Sequence, residues 1–179
     1  NSSSSKAESK AEASSSQAEK MPETDEEWTQ AMDDKAMVSY GNTSMMQNVI
    51  KKAQSGEKVT VAYLGGSITE GISAGADGCY AKLTYDYFAQ KFGTGDNVQY
   101  VNAGLSGTPS KLGILRLDRD VLAYEPDICF IEFAVNDGTE ADYQNAYESI
   151  VRTLLQKNIT PVLLFSVAEN DHSAQDYMK

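Results

Sequence analysis

The chain has 179 residues, which is long enough for one domain with a hydrophobic core and too short for two comfortable ones. Its formal net charge is -11, and its lysines and arginines are scattered singly, which excludes a basic surface for nucleic acid. No apolar run approaches the roughly 20 residues that span a bilayer. With two cysteines, one histidine and no metal-ligand spacing, we expect neither a disulfide framework nor a metal or other cofactor.

The first 24 residues are rich in Ser, Ala, Lys and Glu and contain almost nothing apolar. Such a segment cannot bury enough surface to offset its chain entropy, so we predict a disordered leader over residues 1–24 and a folded domain over residues 25–179. A solvated, Ser-rich leader is typical of the tether of a secreted protein or of a bacterial lipoprotein anchored upstream. We therefore expect an extracellular or cell-surface location, while the oligomeric state stays open.

Alternating strand and helix signals follow one or two helical pieces over residues 25–52. Strand–helix alternation forms right-handed βαβ units, so we predict a three-layer α/β/α fold with a flavodoxin-like, doubly wound parallel sheet, of which four strands can be recognised in this sequence. The predicted strands are Val59–Leu64, Val98–Ala103, Asp127–Ala134 and Pro161–Val167. The predicted apolar helix faces are Tyr80, Leu83, Thr84, Tyr87 and Phe88; Ile114, Leu117, Val121 and Leu122; and Tyr143, Ala146, Tyr147, Ile150, Val151, Leu154 and Leu155.

A serine follows the first predicted strand at once. The strand stops at Gly65-Gly66, and glycines allow a sharp turn with nothing bulky near Ser67. Ser67 is thereby presented at the carboxyl end of a strand, where open α/β sheets bind their ligands. This placement favours a nucleophile, and a serine that only caps the following helix is the alternative.

Two more loops open on the same edge of the predicted sheet. They read Asn102-Ala-Gly-Leu-Ser-Gly-Thr-Pro109 and Ala134-Val-Asn-Asp-Gly138. Acyl transfer needs donors aimed at the developing oxyanion, and the Asn136 carboxamide is a donor that never titrates. Asn-Asp-Gly is also a common turn sequence, so Asn136 is either an oxyanion donor or a turn residue at this point.

Together the three loops resemble the sequence blocks of the SGNH hydrolases, the GDSL family of esterases and lipases, from Val59 to the C-terminus. The first block, Gly-Asp-Ser-Leu/Ile-Thr, is matched by Gly65–Thr69 with Gly66 in place of aspartate. The second is matched by Asn102–Gly107, and the third, Gly-x-Asn-Asp, by Ala134–Asp137 with alanine in place of glycine.

The resemblance implies a serine esterase or acylhydrolase in which Ser67 attacks the substrate. It implies an oxyanion hole made by the backbone N–H groups of Ser67 and Gly107 and by the Asn136 amide. The substrate would be an acyl ester of a small molecule or a polysaccharide, with O-acetyl groups of carbohydrate as one candidate. The alternative is a non-catalytic module that retains this fold and binds a glycan or a cell-wall component.

The family's general base is a histidine in an Asp-x-x-His block that follows a fifth strand. Here the sole histidine, His172, follows the fourth strand, and Glu169-x-x-His172 mimics the spacing with glutamate in place of aspartate. His172 comes one βα unit too early, which makes it a weak candidate for the base. The simpler expectation is a C-terminally truncated chain that is itself inactive, because a serine without a positioned base is a poor nucleophile.

Three further polar residues near these loops have structural interpretations. Asn102, at a strand end, is predicted to tie down the loop backbone, and a residue that lines the site is the alternative. Asp137 is interpreted as a turn or cap residue. Glu132 lies inside an apolar strand, where it either pairs locally or has a raised pKa if it is desolvated.

Overall fold

A computed structural model describes residues 24–167 of the chain. The predicted leader, apart from Thr24, therefore lies outside the described residues. The same is true of His172. The chain divides into two units, residues 1–39 and residues 40–179. In the first unit the helix α1 spans Asp25–Ala36, and Gln30 Nε2 donates to Asp34 Oδ1 one turn later at 2.8 Å.

The second unit alternates strands and helices along the chain. After α2, each of the first three strands is followed by one or two helices, as the sequence pattern predicts. The elements are α2 (Ser44–Gln54), β1 (Val59–Gly65), α3 (Ser67–Glu70), α4 (Tyr80–Phe92), β2 (Val98–Gly104), α5 (Ser110–Asp120), a 3-10 turn (Leu122–Tyr124), β3 (Ile128–Glu132), α6 (Ala141–Gln156) and β4 (Thr160–Leu164). Among residues 24–167, no helix combines the length and the apolar character that crossing a membrane requires.

The four strands form one parallel sheet in the order β2-β1-β3-β4. Gly65 at the end of β1 pairs with Gly104 on β2 and with Glu132 on β3, so the three strands end level. The chain runs from β1 outward to β2 on one side, and then crosses to β3 and β4 on the other side of β1. The crevice at the carboxyl ends of β1 and β3 is therefore the switch point where doubly wound sheets bind ligands. The doubly wound prediction is confirmed, and it places the first and third loops at this crevice.

Side chains of β1 alternate between two cores. Val61 and Tyr63 pack on the α2 and α4 side, whereas Ala62 and Leu64 pack on the α5 and α6 side. All seven residues of β1 are buried, as expected for a central parallel strand covered on both faces. This arrangement makes the three layers, and it anchors the strand that ends at the serine loop.

The helix α4 forms as predicted, but its buried face differs from the predicted one. Leu83 and Tyr87 are 56% and 58% exposed, while Ala81 is fully buried and Phe88 packs on the core. Aromatic residues occur on several sides of this helix, so their spacing alone does not define one face. The small Ala81 lets the helix approach the sheet closely, which decides the rotation of the helix.

Candidate active site

The serine loop turns directly at the end of β1. Ser67 is half-buried and begins the short helix α3, directly after Gly66, whose backbone angles (φ -90°, ψ -147°) are neither helical nor extended. A Cβ on Gly66 would overlap the Asn136 Oδ1 atom and lie 3.0 Å from Asn136 Cγ. The absence of a side chain at Gly66 thus provides the space in which the Asn136 carboxamide lies, next to the serine.

Asn102 connects the first loop to the second. Its Nδ2 donates to the Thr69 carbonyl at 2.8 Å, and its Oδ1 accepts from the Gly104 N–H at 2.8 Å. On the other side of α3, the Thr69 and Tyr80 hydroxyls are hydrogen-bonded at 2.9 Å. The prediction that Asn102 ties down loop backbone is confirmed, and α3 is fixed from both sides.

The second loop contains a tight turn around Gly107. Thr108 donates to the Leu105 carbonyl from its N–H at 3.3 Å and from its hydroxyl at 2.7 Å. Gly107 has φ +70°, a left-handed conformation that favours glycine, and it is exposed. The Leu105 N–H also donates to the Gly65 carbonyl at 3.0 Å, which joins this turn to the end of β1.

Carboxylates from the other two loops hold both ends of the second loop. Glu70 Oε2, on α3, accepts from the Ser106 N–H at 2.6 Å. Asp137 Oδ1, on the third loop, accepts from the Ser110 N–H at 2.7 Å, and this bond is buried. Asp137 thus caps the first residue of α5, as its interpretation as a cap residue predicts.

The third loop turns immediately after β3. The N–H groups of Asn136 and Asp137 both donate to the Phe133 carbonyl at 2.9 Å, which ends the strand and directs the Asn136 side chain toward Gly66. Asn136 Oδ1 is buried and has no hydrogen-bond partner among the described residues. An unpaired buried acceptor is costly, so a hydrogen-bond donor bound at the site would be favourable at this oxygen.

A buried arginine that the sequence interpretation missed joins the strand ends. Arg116 Nη1 donates to the Ala103 carbonyl at 2.6 Å, and Nη2 donates to the Gly65 carbonyl at 3.0 Å. Asp120 lies 3.2 Å from Nη1, and hydrogen bonds from Arg119 and then Arg116 hold the pKa of this carboxyl below its usual range. Gly113, Arg116, Leu117 and Asp120 share the spacing of one helix face, and this signal could have revealed the buried arginine and its half-buried carboxylate partner.

Glu132 is a fully buried carboxyl at the end of β3. Neither of its carboxyl oxygens has a hydrogen-bond partner among the described residues. Burial raises the pKa of Glu132 more than the nearby Ser166 hydroxyl and Ala134 backbone lower it, and the Asp137 carboxyl raises it further. The desolvation on which the raised-pKa interpretation depends is thus present in the structure.

Each of the three loops also exposes one apolar side chain beside its polar residue. Ile68 follows Ser67, Leu105 precedes the Gly107 turn, and Val135 precedes Asn136. These side chains are 40%, 45% and 37% exposed. The sheet edge thus combines hydrogen-bond donors with an apolar rim, while no group of three or more acidic, Cys or His residues within 24–167 could hold a metal ion.

The geometry places the Asn136 carboxamide against Gly66, the residue before Ser67, and connects the Gly107 turn to both loops. A serine at the switch point of a doubly wound sheet, in a loop next to a half-buried asparagine, is typical of α/β serine hydrolases. Residues 63–178 match the profile of the GDSL-like Lipase/Acylhydrolase family, which is more than half of the chain. The chain belongs to this family, and the predicted family resemblance is confirmed.

Solved structures agree with this assignment. A two-domain esterase (CEX) active on acetylated mannans is 31% identical with a TM-score of 0.75, over 80% of this chain and 40% of that one. The acetyl xylan esterase AlAXEase is 25% identical with a TM-score of 0.54, over 67% of each chain. A G-D-S-L family protein from Desulfitobacterium hafniense DCB-2, 19% identical with a TM-score of 0.56 and 67% coverage of each chain, shares the fold.

The chain thus spans only 40% of the length of the mannan esterase structure. A search of curated protein sequences found no match.

Proposed function

We propose that this chain carries the nucleophile and the oxyanion hole of a serine esterase that hydrolyses acyl esters of carbohydrate, with O-acetyl groups as the acyl class. The contact between Gly66 and the Asn136 carboxamide carries the proposal, because it sets a non-titrating amide beside Ser67. Similarity to an esterase active on acetylated mannans and to an acetyl xylan esterase supports the substrate class. An ester on polysaccharide also agrees with the expected extracellular or cell-surface location.

In the proposed reaction, Ser67 Oγ attacks the ester carbonyl carbon while a general base takes the hydroxyl proton. The carbonyl oxygen becomes an oxyanion that accepts hydrogen bonds from the Ser67 and Gly107 N–H groups and from Asn136 Nδ2. The base then returns the proton to the alcohol oxygen as it leaves, and water hydrolyses the acyl-enzyme. Donors fixed in advance are effective because they need not reorganise when the charge develops.

The base in this scheme is the histidine of an Asp-x-x-His block. His172 is the weak candidate from the sequence, and its position lies outside the described residues. The rim of Ile68, Leu105 and Val135 would contact the acyl group or the face of a sugar ring, since both present apolar surface.

Covalent labelling tests the nucleophile. The protein expressed from its complete gene is treated with a fluorophosphonate probe, and hydrolysis of p-nitrophenyl acetate is measured in parallel. We expect rapid labelling and turnover that Ser67→Ala abolishes. The matched control is Ser149→Ala, which removes a hydroxyl that bonds only within α6, to the Asn145 carbonyl. Labelling that persists in Ser67→Ala would refute the assignment, and glycan binding without labelling would favour the binding module.

The same assays on the 179-residue chain test the expectation about the base. We expect little or no turnover from this chain, because its only histidine is poorly placed in sequence. Turnover at rates typical of esterases that His172→Ala abolishes would instead make His172 the base.

A further inference from the structure

The Gly107 turn lies between two carboxylates that come from the other two site loops. Glu70 Oε2 accepts from the Ser106 N–H at 2.6 Å, one residue before Gly107. Asp137 Oδ1 accepts from the Ser110 N–H at 2.7 Å, three residues after it. The two carboxylates thus hold the turn from opposite ends.

The start of the turn is also fixed by the Leu105 N–H bond to the Gly65 carbonyl at 3.0 Å, and Thr108 is buried, but the glycine between them has little support of its own. Gly107 is exposed, and even a Cβ at this position would contact nothing within 4 Å. Within the turn itself, both bonds from Thr108 go to a single acceptor, the Leu105 carbonyl. An exposed glycine turn with few contacts opens locally at low cost, whereas an oxyanion donor must stay about 2.7–3.1 Å from the oxygen that it stabilises.

Each carboxylate is close in sequence to another proposed member of the site. Glu70 is three residues after Ser67 in α3, and Asp137 directly follows Asn136. A shift of either loop relative to the Gly107 turn would therefore break a short, charge-assisted hydrogen bond. We propose that Glu70 and Asp137 are positioning residues that lock the three oxyanion donors into one unit, an inference that rests on the proposed esterase function.

The two carboxylates differ in how cleanly they can be tested. Asp137 is buried, and its removal would leave the first N–H of α5 without this cap, so Asp137→Ala combines loss of positioning with loss of stability. Glu70 is half-buried at the surface of α3, so its truncation perturbs the fold less. Glu70→Gln keeps a side-chain oxygen that can accept from the Ser106 N–H and serves as the conservative variant.

Amide hydrogen exchange in the 179-residue chain measures how firmly Glu70 holds the Gly107 turn, and it does not require enzymatic activity. We expect Glu70→Ala to speed exchange at Ser106 about 10- to 100-fold, as loss of a hydrogen bond to a charged group predicts. Glu70→Gln should remain within about threefold of the native rate because it retains an acceptor. The control is Glu148→Ala, which removes an exposed carboxylate on α6 and should leave Ser106 unchanged. Unchanged exchange at Ser106 in Glu70→Ala would overturn the proposal.

Kinetics of the protein from its complete gene then separate positioning from binding. We expect Glu70→Ala to lower kcat about 10- to 100-fold while KM stays within about twofold, since the donors act mainly in the transition state. A kcat in Glu70→Gln close to the native value would support a positioning role. Equal losses of kcat in Glu70→Ala and Glu70→Gln, or a change in KM alone, would overturn the proposal. If hydrogen exchange responds as expected but the native protein hydrolyses no ester, the positioning of the Gly107 turn by Glu70 is supported and the proposed function fails.

Discussion

A single methyl group on Gly66 should disable the site with little effect on the fold. A Cβ there overlaps Asn136 Oδ1 and lies 3.0 Å from Asn136 Cγ, so the carboxamide has to rotate away. Gly66 has a negative φ, so Gly66→Ala introduces no left-handed strain. The atom that must move is the end of a flexible side chain, and an off-rotamer displacement costs only about 0.5–1.5 kcal/mol.

The catalytic cost should be much larger. Loss of one side-chain oxyanion donor costs about 2.7–4 kcal/mol of transition-state stabilisation, or about 10²–10³ in kcat. We therefore expect Gly66→Ala to lower kcat for p-nitrophenyl acetate by about that factor in the protein from its complete gene. Thermal unfolding, measured on the same samples, should shift by only a few degrees, since about 1 kcal/mol moves the Tm of a domain of this size by about 2–4 °C.

A double-mutant cycle identifies the residue through which the methyl acts. If the methyl works by displacing Asn136, Gly66→Ala should cost almost nothing further in the Asn136→Ala background. Equal losses of kcat in the native and Asn136→Ala backgrounds would refute the reasoning, because the methyl would then act elsewhere. Unchanged activity in Gly66→Ala would show that the carboxamide is not an oxyanion donor.

Two further substitutions test the packing and the electrostatics of the sheet edge. Gly113→Ala should lower the Tm, because its methyl would lie 2.6 Å from Cζ of the fully buried Phe133 ring. This is the opposite of the usual effect, since alanine normally stabilises a helix interior by about 0.5–1 kcal/mol relative to glycine. A raised Tm, or a loss of Tm that is just as large in the Phe133→Leu background, would contradict this. Glu132→Gln should match the native stability below the ordinary Glu pKa of 4.5. Above pH 4.5 the glutamine variant should become increasingly more stable than the native chain. The reason is that native Glu132 keeps its proton in the folded chain and loses it in the unfolded one, which lowers the native free energy of unfolding by about 1.4 kcal/mol for each unit by which the pKa is raised. A Tm difference that is constant between pH 4 and pH 7 would contradict it.

The sheet could be predicted from the sequence because its strands are buried on both faces and read as continuous apolar runs. Their ends were less predictable. The run through Phe133 and Ala134 continues in composition, but β3 ends at Glu132 because the Phe133 carbonyl accepts from Asn136 and Asp137. Local backbone bonds of this kind leave no periodic signal in the sequence.

The site was predictable as far as its short motifs, and its connections were not. Ser67 and Asn136 stand out because each follows a strand and a turn. Glu70, Asp137 and Arg116 act across 27 to 51 residues of sequence through bonds to backbone groups. Backbone groups have no residue identity, so a sequence cannot show which of them a side chain will reach.

Charge at the sheet edge gives a reason for the glycine that replaces the family's aspartate. Three carboxyl groups, those of Glu70, Asp137 and Glu132, already lie around a site that we propose stabilises negative charge. The first two accept from backbone N–H groups, and burial raises the pKa of the third, which favours its uncharged form. With Asn136 placed as it is in this chain, a side chain at position 66 would overlap Asn136 Oδ1, and a carboxylate there would add negative charge beside the proposed oxyanion hole. Family members with aspartate at this position have to place the carboxamide differently, whereas glycine permits the arrangement seen here.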